Sequence, residues 1–398
     1  MSGKSLTDAH HLLTINSGSS SIKFALFEHA AVLRKLATGQ IDRIGLPDAR
    51  FRARSSDGVV AADHTVEAVN HVQAVELVVN WLDRQGGLTS LGAVGHRVVH
   101  GGERFLESVA IDDDVLHELE RLIPLAPNHL PGEVAAIAAL RARCPGLPQF
   151  GCFDTAFHRT LPSEARQLPI PRRYAAAGVR RYGFHGLSYQ FLMQELHRVA
   201  GERTAQGRVI LAHLGAGCSL AAVREGSCID TTMGFTPAAG LVMATRTGDL
   251  DPGFIVHLLR TERLSADELD NLINKQSGLL GVSETSSDIR DLLAREESDP
   301  RAAEAIALFC YQLRKHLGAF TAALGGLDTL VFSAGIGENS PAIRARVCSG
   351  LRFLGIELDQ ALNDQDAPII SSPGSPVTVR VIRTDEESLI AAEVLRLL

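Results

Sequence analysis

Aromatic residues make up only 5% of the 398 positions, with a single Trp, so any core here must be built mainly from aliphatic side chains. No apolar run comes near the roughly 18 residues that a membrane-spanning helix requires. The first fifteen residues lack the charged-then-apolar pattern of a secretory signal, and the expectation is a cytoplasmic protein. Basic charge is not in excess. Lys and Arg number 39 against 46 Asp and Glu, a formal net charge of −7, and the cations are scattered, which argues against a nucleic-acid surface. The six cysteines (Cys144, Cys152, Cys218, Cys228, Cys310, Cys348) contain no CxxC pair. That excludes a disulfide scaffold and a zinc knuckle, and leaves them as small apolar fillers.

Several catalytic signatures are missing as well. There is no GxxxxGK[ST], so the chain is not a P-loop NTPase, and Gly335-Ile336-Gly337 lacks the third glycine of a dinucleotide fingerprint. His96 and His100 have the spacing of a zinc protease motif, but Arg97 stands where its Glu belongs.

What is present is a mixture of hairpins and long helices, over a length that suits two or three domains. His11–Asn16 and Ile22–Phe27 read as strands joined by a Ser/Gly turn. Helical spacing runs from Val66 to Gln85 and stops at Gly86-Gly87; strands follow at Ala93–Val98 and Gln149–Phe153, with a helix between at Gly132–Arg143. The opening pattern returns near residue 209, as strand Val209–Leu214, turn Gly215-Ala216-Gly217 and strand Ser219–Val223. Helix Arg301–Leu324 and strand Thr329–Ser333 come next, then Gly335-Ile336-Gly337 as a turn before a helix near Pro341. The chain closes with strand Val377–Ile382 and helix Asp385–Leu397, for which Thr384 and Glu387 form a candidate capping box. Two copies of strand, glycine turn and strand about 200 residues apart suggest an internal duplication, hence two similar α/β lobes around a cleft, although two such hairpins also arise by chance.

The glycine turns are where chemistry gathers. Hydroxyl and backbone N–H groups converge in Asn16-Ser17-Gly18-Ser19-Ser20-Ser21, with Lys23 two residues on. Such a turn either cradles phosphate or simply joins a hairpin. His213-Leu214-Gly215-Ala216-Gly217 and Gly335-Ile336-Gly337-Glu338-Asn339 offer two more close backbone approaches. Arg97 lies inside an apolar strand, where a guanidinium is costly unless paired with an anion. Asp154 ends a strand, as a Mg²⁺ ligand would, and His185 emerges from the basic loop Arg180–Gly186. Met233–Pro237 leads to Thr245-Arg246-Thr247-Gly248, and then to Asp251 and Pro252 as cap and first residue of a helix. Singly, these are also a core His, a surface Arg and a helix cap. Together they suit phosphoryl transfer, which needs Mg²⁺, arginines and backbone donors but little covalent chemistry.

The segments Asn16–Lys23, Gly95–Glu103, Phe153–His158, Arg180–Gly186, Met233–Pro252, Gly335–Ser340 and Thr384–Glu387 resemble the acetate kinase family, in order and at comparable spacing, over nearly the whole chain from about residue 12. The resemblance implies two duplicated actin-like (ribonuclease H-like) α/β lobes around a nucleotide cleft: residues 1–155 completed by the C-terminal helix 387–398, and residues 156–386. It implies a homodimer that phosphorylates acetate reversibly with Mg²⁺ (or Mn²⁺) and ATP, giving acetyl phosphate and ADP. By the same resemblance, Arg97 and Arg246 bind the carboxylate and steady the transferring phosphoryl group. His185 and His129 sit beside that group. Asp154 and Glu386 hold the metal, with Asn16 orienting them. Ser19, Ser21 and Lys23 line the phosphate end, and the turn His213–Gly217 lies against the nucleotide. Asp288, Ile289, Arg290, Gly335, Ile336, Gly337 and Asn339 hold the adenosine. Val99, Asn128, Phe184 and Pro237 wall the acyl pocket.

Three residues depart from the family pattern: Ala216 stands for a usual Asn, Ala244 for a usual Gly, and Asn128 for a usual Leu beside His129. They leave open a propionate or butyrate kinase, and the chain-length preference with it. A pyrophosphate donor and an actin-like nucleotide-binding module without turnover are the remaining alternatives. The small Gly335-Ile336 pair speaks against the former, and the presence of Arg97, Arg246, Asp154, His185 and Glu386 against the latter.

Overall fold

A computed structural model of the chain describes residues 11–18, 20–29 and 32–398. The fold divides into two compact units, the first running to Ala156 and taking back Asp385–Leu398, the second comprising Phe157–Thr384. Glu386 thus belongs to the first unit.

The first unit is built on an eight-stranded sheet in the order β5-β4-β3-β2-β1-β6-β8-β7. Its strands are β1 (His11–Ser17), β2 (Ser21–His29), β3 (Leu33–Asp42), β4 (Arg50–Ser55), β5 (Val60–Thr65), β6 (Leu91–Val98), β7 (Val109–Ala110) and β8 (Gln149–Phe153). β1 to β5 form an antiparallel meander, while β1, β6 and β8 run parallel. Parallel neighbours need crossovers, and helices supply them. On one face the helices His71–Arg84 and Leu130–Arg143 pack together over a core that includes Phe24, Phe51 and the lone Trp81. On the other, the helix Glu386–Leu397 lies across β6 and β1. Gly95 makes room for it, since a Cβ there would lie 2.5 Å from Ile390 Cγ2 and 2.7 Å from Val394 Cγ2.

The second unit contains β9 (Arg208–Leu214), β10 (Cys218–Arg224), β11 (Ser227–Thr231), β12 (Thr329–Ser333) and β13 (Thr378–Val381), in the order β11-β10-β9-β12-β13. The helix Gly186–Ala200 buries Tyr189, Leu192 and Leu196 against β9 and β10, and the 25-residue helix Pro300–Leu324 packs on the same two strands. Among the described residues no helix is long and apolar enough to cross a membrane. The order and sense of β11-β10-β9-β12-β13 repeat those of β3-β2-β1-β6-β8: an antiparallel meander flanked by two parallel strands.

Three local expectations are corrected. Gly335-Ile336-Gly337 is not a turn but part of a helix, Ala334–Asn339. Glu338 Oε1 accepts the N–H of Ala334 at 2.7 Å, and the fully buried Arg344 donates to the carbonyls of Gly337 and Glu338, so tertiary bonds outweigh the poor helix propensity of glycine. The C-terminal helix is capped by Asp385, whose side chain accepts Ser388 N–H. Thr384 instead hydrogen-bonds Ser188, so Thr384 and Glu387 form no capping box. The first long helix begins at His71 rather than Val66, because Asn70 takes the N-cap and bonds Gln73 N–H.

Candidate active site

Strand register assembles the first half of the site. Asn16 on β1 pairs with Lys23 on β2 and with Arg97 on β6, so three polar side chains stand side by side at the end of the sheet. Gly95 and Arg97 share one face by the period of two, and the helix that covers Gly95 brings its first residue, Glu386, up to the same row. Asn16 is the hinge of the network: Arg97 Nη1 donates to its Oδ1 at 3.0 Å, and its Nδ2 donates to Glu386 Oε2 at 2.9 Å and Glu387 Oε1 at 3.5 Å. Asp154, one residue beyond β8 and 1% exposed, takes Arg97 in a forked pair with distances of 2.6 and 3.2 Å. The anion that the strand arginine demanded is therefore Asp154. Burial opposes the Arg97 charge, but Asp154 and Glu386 outweigh it and hold its pKa above the ordinary value. Burial raises the Glu386 carboxyl; Arg97 counters this and Asp154 adds to it. Among the described residues no three of His, Cys, Asp or Glu gather as an all-protein metal cage. A carboxylate pair, Asp154 buried and Glu386 half-buried, with an amide beside it does fit Mg²⁺, which keeps most of its shell for water and phosphate.

The same unit holds Asn128 and His129, the latter at the N-cap of the helix Leu130–Arg143. Val99, 3% exposed, follows β6. Its N–H donates to Glu133 Oε2 at 2.9 Å. Sequence reasoning missed Glu133; the available signal was one acidic residue in the apolar run Leu130–Leu140. Ser21 opens β2, while Ser19 lies outside the described residues.

The second half is built on β9 and β10. His213 and Ser219 are cross-strand partners at the ends of these strands. His185, at the N-cap of the helix Gly186–Ala200, is held through Nδ1 by Ser219 Oγ at 2.8 Å, and its ring stacks on His213 with centroids 4.1 Å apart. Ser188 Oγ holds His213 Nδ1 at 2.8 Å. Gly217 faces this cluster, because a Cβ there would lie 3.3 Å from His185 Nε2 and 3.8 Å from Arg246 Nη1. Arg246 Nη1 donates to the carbonyl of Pro237 at 3.3 Å. Phe184 is buried, and its carbonyl bonds His158 Nε2 at 3.0 Å. His185 (φ 60°) and Ala334 (φ 62°) both adopt left-handed backbone, a strain that concentrates at functional sites.

A cavity of about 730 Å³ opens in this unit. Its lining includes Gly215, Ala216, Asp288, Ile289, Arg290, Gly335, Ile336 and Asn339, so three segments far apart in sequence meet there. Ala244 also lines it, as do Leu279, Ser287 and Leu293, which a sequence shows only as ordinary core and loop residues. His213, Leu214, Gly217 and Gly337 are not on its wall. The volume and mixed apolar and polar lining suit a nucleoside.

Residues 11–392 match the sequence model of the acetokinase family. The chain is 45% identical over 392 residues to an acetate kinase from Rhodopseudomonas palustris, covering 97% of this chain and 98% of that one. Among solved structures it resembles an acetate kinase from Porphyromonas gingivalis (TM-score 0.87, 38% identity, 98% and 99% of the two chains). It also resembles a propionate kinase from Francisella tularensis (TM-score 0.91, 36% identity, 98% and 100%).

Proposed function

The chain belongs to the acetokinase family, and on that premise we propose that it is an acetate kinase, transferring the γ-phosphoryl group of ATP to acetate to give acetyl phosphate and ADP. The observation that carries the residue assignment is the row Lys23–Asn16–Arg97 closed by Asp154 and Glu386, opposite in chemistry to the nucleoside-sized cavity of the second unit. Arg97, with Val99 and Asn128, holds the acceptor carboxylate; Phe184 and Pro237 are the acyl-contact candidates of the second unit. Arg246 and His185 bind the phosphoryl oxygens, and His129 is a further candidate for that role. The His185 ring and the Arg246 guanidinium are pre-positioned by Ser219, His213 and the Pro237 carbonyl, so little reorganisation accompanies the charge shift. Lys23 and Ser21, with Ser19, attract the phosphate end, and the turn Gly215–Gly217 lies against it. Asp288, Ile289, Arg290, Gly335, Ile336 and Asn339 hold the adenosine.

The step is an in-line displacement: a carboxylate oxygen forms the new P–O bond as the bond to the ADP oxygen breaks. Acetate is already ionised at neutral pH, so no general base is required. Asp154, Glu386 and Asn16 would hold Mg²⁺, or Mn²⁺ in its place, which when bound neutralises phosphate charge. A cytoplasmic location follows from the need for ATP. A homodimer is supported by the helix Pro252–Thr261, which leaves Phe254, Val256 and Leu259 exposed.

Purified protein with Mg-ATP, hydroxylamine and a panel of acetate, propionate, butyrate and glycolate tests the reading. The strongest acyl hydroxamate signal with acetate supports it. A strongest signal with propionate would favour the second reading, which the Francisella structure motivates. Silence across the panel would overturn both.

A further inference from the structure

β6 ends at Val98, whose carbonyl accepts the Asp154 N–H at 3.0 Å. The next N–H, that of Val99, lies beyond the strand and is taken by Glu133 Oε2. Glu133 sits in the first turn of the helix Leu130–Arg143, with its own N–H bonded to the His129 carbonyl at 3.3 Å. One carboxyl therefore ties the segment bearing Arg97 and Val99 to the turn bearing Asn128 and His129. Glu133 is 2% exposed, and its second oxygen, Oε1, is buried without a hydrogen-bond partner among the described residues. Burying such a group is costly, and an apolar side chain would fill the space more cheaply. Burial pushes the carboxyl up to about 8, against the pull of the Val99 N–H and Arg97 and with Asp154 adding to it. At neutral pH it is thus chiefly the uncharged acid, a group that accepts a bond without repelling an incoming carboxylate.

We propose that Glu133 is a positioning residue for the carboxylate acceptor, acting through the Val99 backbone to set Val99 and Arg97 against Asn128 and His129. The inference rests on the assignment of Arg97 and Val99 to the acceptor. Removing the acceptor oxygen then weakens carboxylate binding and leaves the nucleotide, held by other segments, untouched.

The test uses the full-length chain and three variants: Glu133→Leu, which keeps bulk and removes the carboxyl; Glu133→Asp, which withdraws it by one methylene; and Glu133→Gln, which keeps an acceptor oxygen in place. Loss of one hydrogen bond predicts a KM for acetate raised about tenfold or more in the Leu and Asp variants, with KM for ATP unchanged. Glu133→Gln restores the acetate KM to within about threefold, the signature of a neutral acceptor rather than a charge. If Glu133→Leu does not fold, the Asp and Gln pair decides alone. Wild-type acetate KM in the Leu or Asp variant, a parallel rise in both KM values, or a Gln variant as impaired as the Asp variant would overturn the proposal. Absence of acyl phosphate with the wild-type chain would instead overturn the functional reading.

Discussion

At the scale of single residues, the two arginines given to the reaction differ in what else they do. Arg246 is half-buried and donates to the carbonyl of Pro237, a neutral acceptor, so Arg246→Ala removes chiefly transition-state stabilisation. We expect kcat to fall by about 10²–10³-fold with the thermal midpoint lowered less than in Arg97→Ala, measured by steady-state kinetics and calorimetry. Arg97→Ala should lose both, because Asp154 is left buried without its cation at a cost of about 3–5 kcal/mol. Equal thermal midpoints for the two variants would show that the forked pair carries no stability. His96, buried on the face of β6 opposite Arg97 and bonded to Gln149, is pushed down to about 4 by burial. The unfolded chain takes up this proton below about pH 6.5 and the folded chain does not, so stability present above 6.5 is lost as pH falls towards 4. Denaturant titrations at several pH values should show that decline, and His96→Gln should make it shallower. Both arginines were legible in the sequence, one by its place in an apolar strand and the other by the family pattern. The partner of Arg97 was not, since nothing local to β6 names a residue 57 positions on.

At the scale of elements, the strands that carry the site were legible because their apolar runs stop at glycine or serine, as at Leu214 before Gly215. The helix Ala334–Asn339 was not, because it exists through bonds from Glu338 and Arg344, whereas local propensity reads Gly-Ile-Gly as a turn. Nor was the cap of the last helix: Thr384 and Asp385 are both good caps, and the choice fell to Asp385, which Lys35 also pairs with at 2.6 Å. That helix matters beyond packing, since its first residue is Glu386. Gly95→Ala, which drives a methyl into Ile390 and Val394, should cost about 1–3 kcal/mol and should lower activity more than stability alone explains, by shifting Glu386. Thermal unfolding and kcat measured on one preparation check this; a stable variant with full activity would show that the helix position is not critical.

At the scale of the whole molecule, the duplication that two glycine hairpins suggested is now visible as one strand order used twice, with the site residues at corresponding strand ends: Asn16 and Lys23 in one hairpin, His213 and Ser219 in the other. The nucleoside-sized cavity was only partly legible, because Leu279 and Leu293 look in sequence like any core residue and join its wall through tertiary placement. If the exposed face of Pro252–Thr261 meets a second copy, Phe254→Asp should shift the sedimentation of the protein towards monomer, whereas an unchanged sedimentation coefficient would remove that face from the interface. Direct phosphoryl transfer between an acyl group and a nucleotide runs in both directions, so the decisive measurement is ATP formed from acetyl phosphate and ADP. ATP formation is expected to require a divalent cation and to fall to about 1% or less in Arg246→Ala. Absence of ATP from the wild-type chain, with ADP still bound, would contradict it.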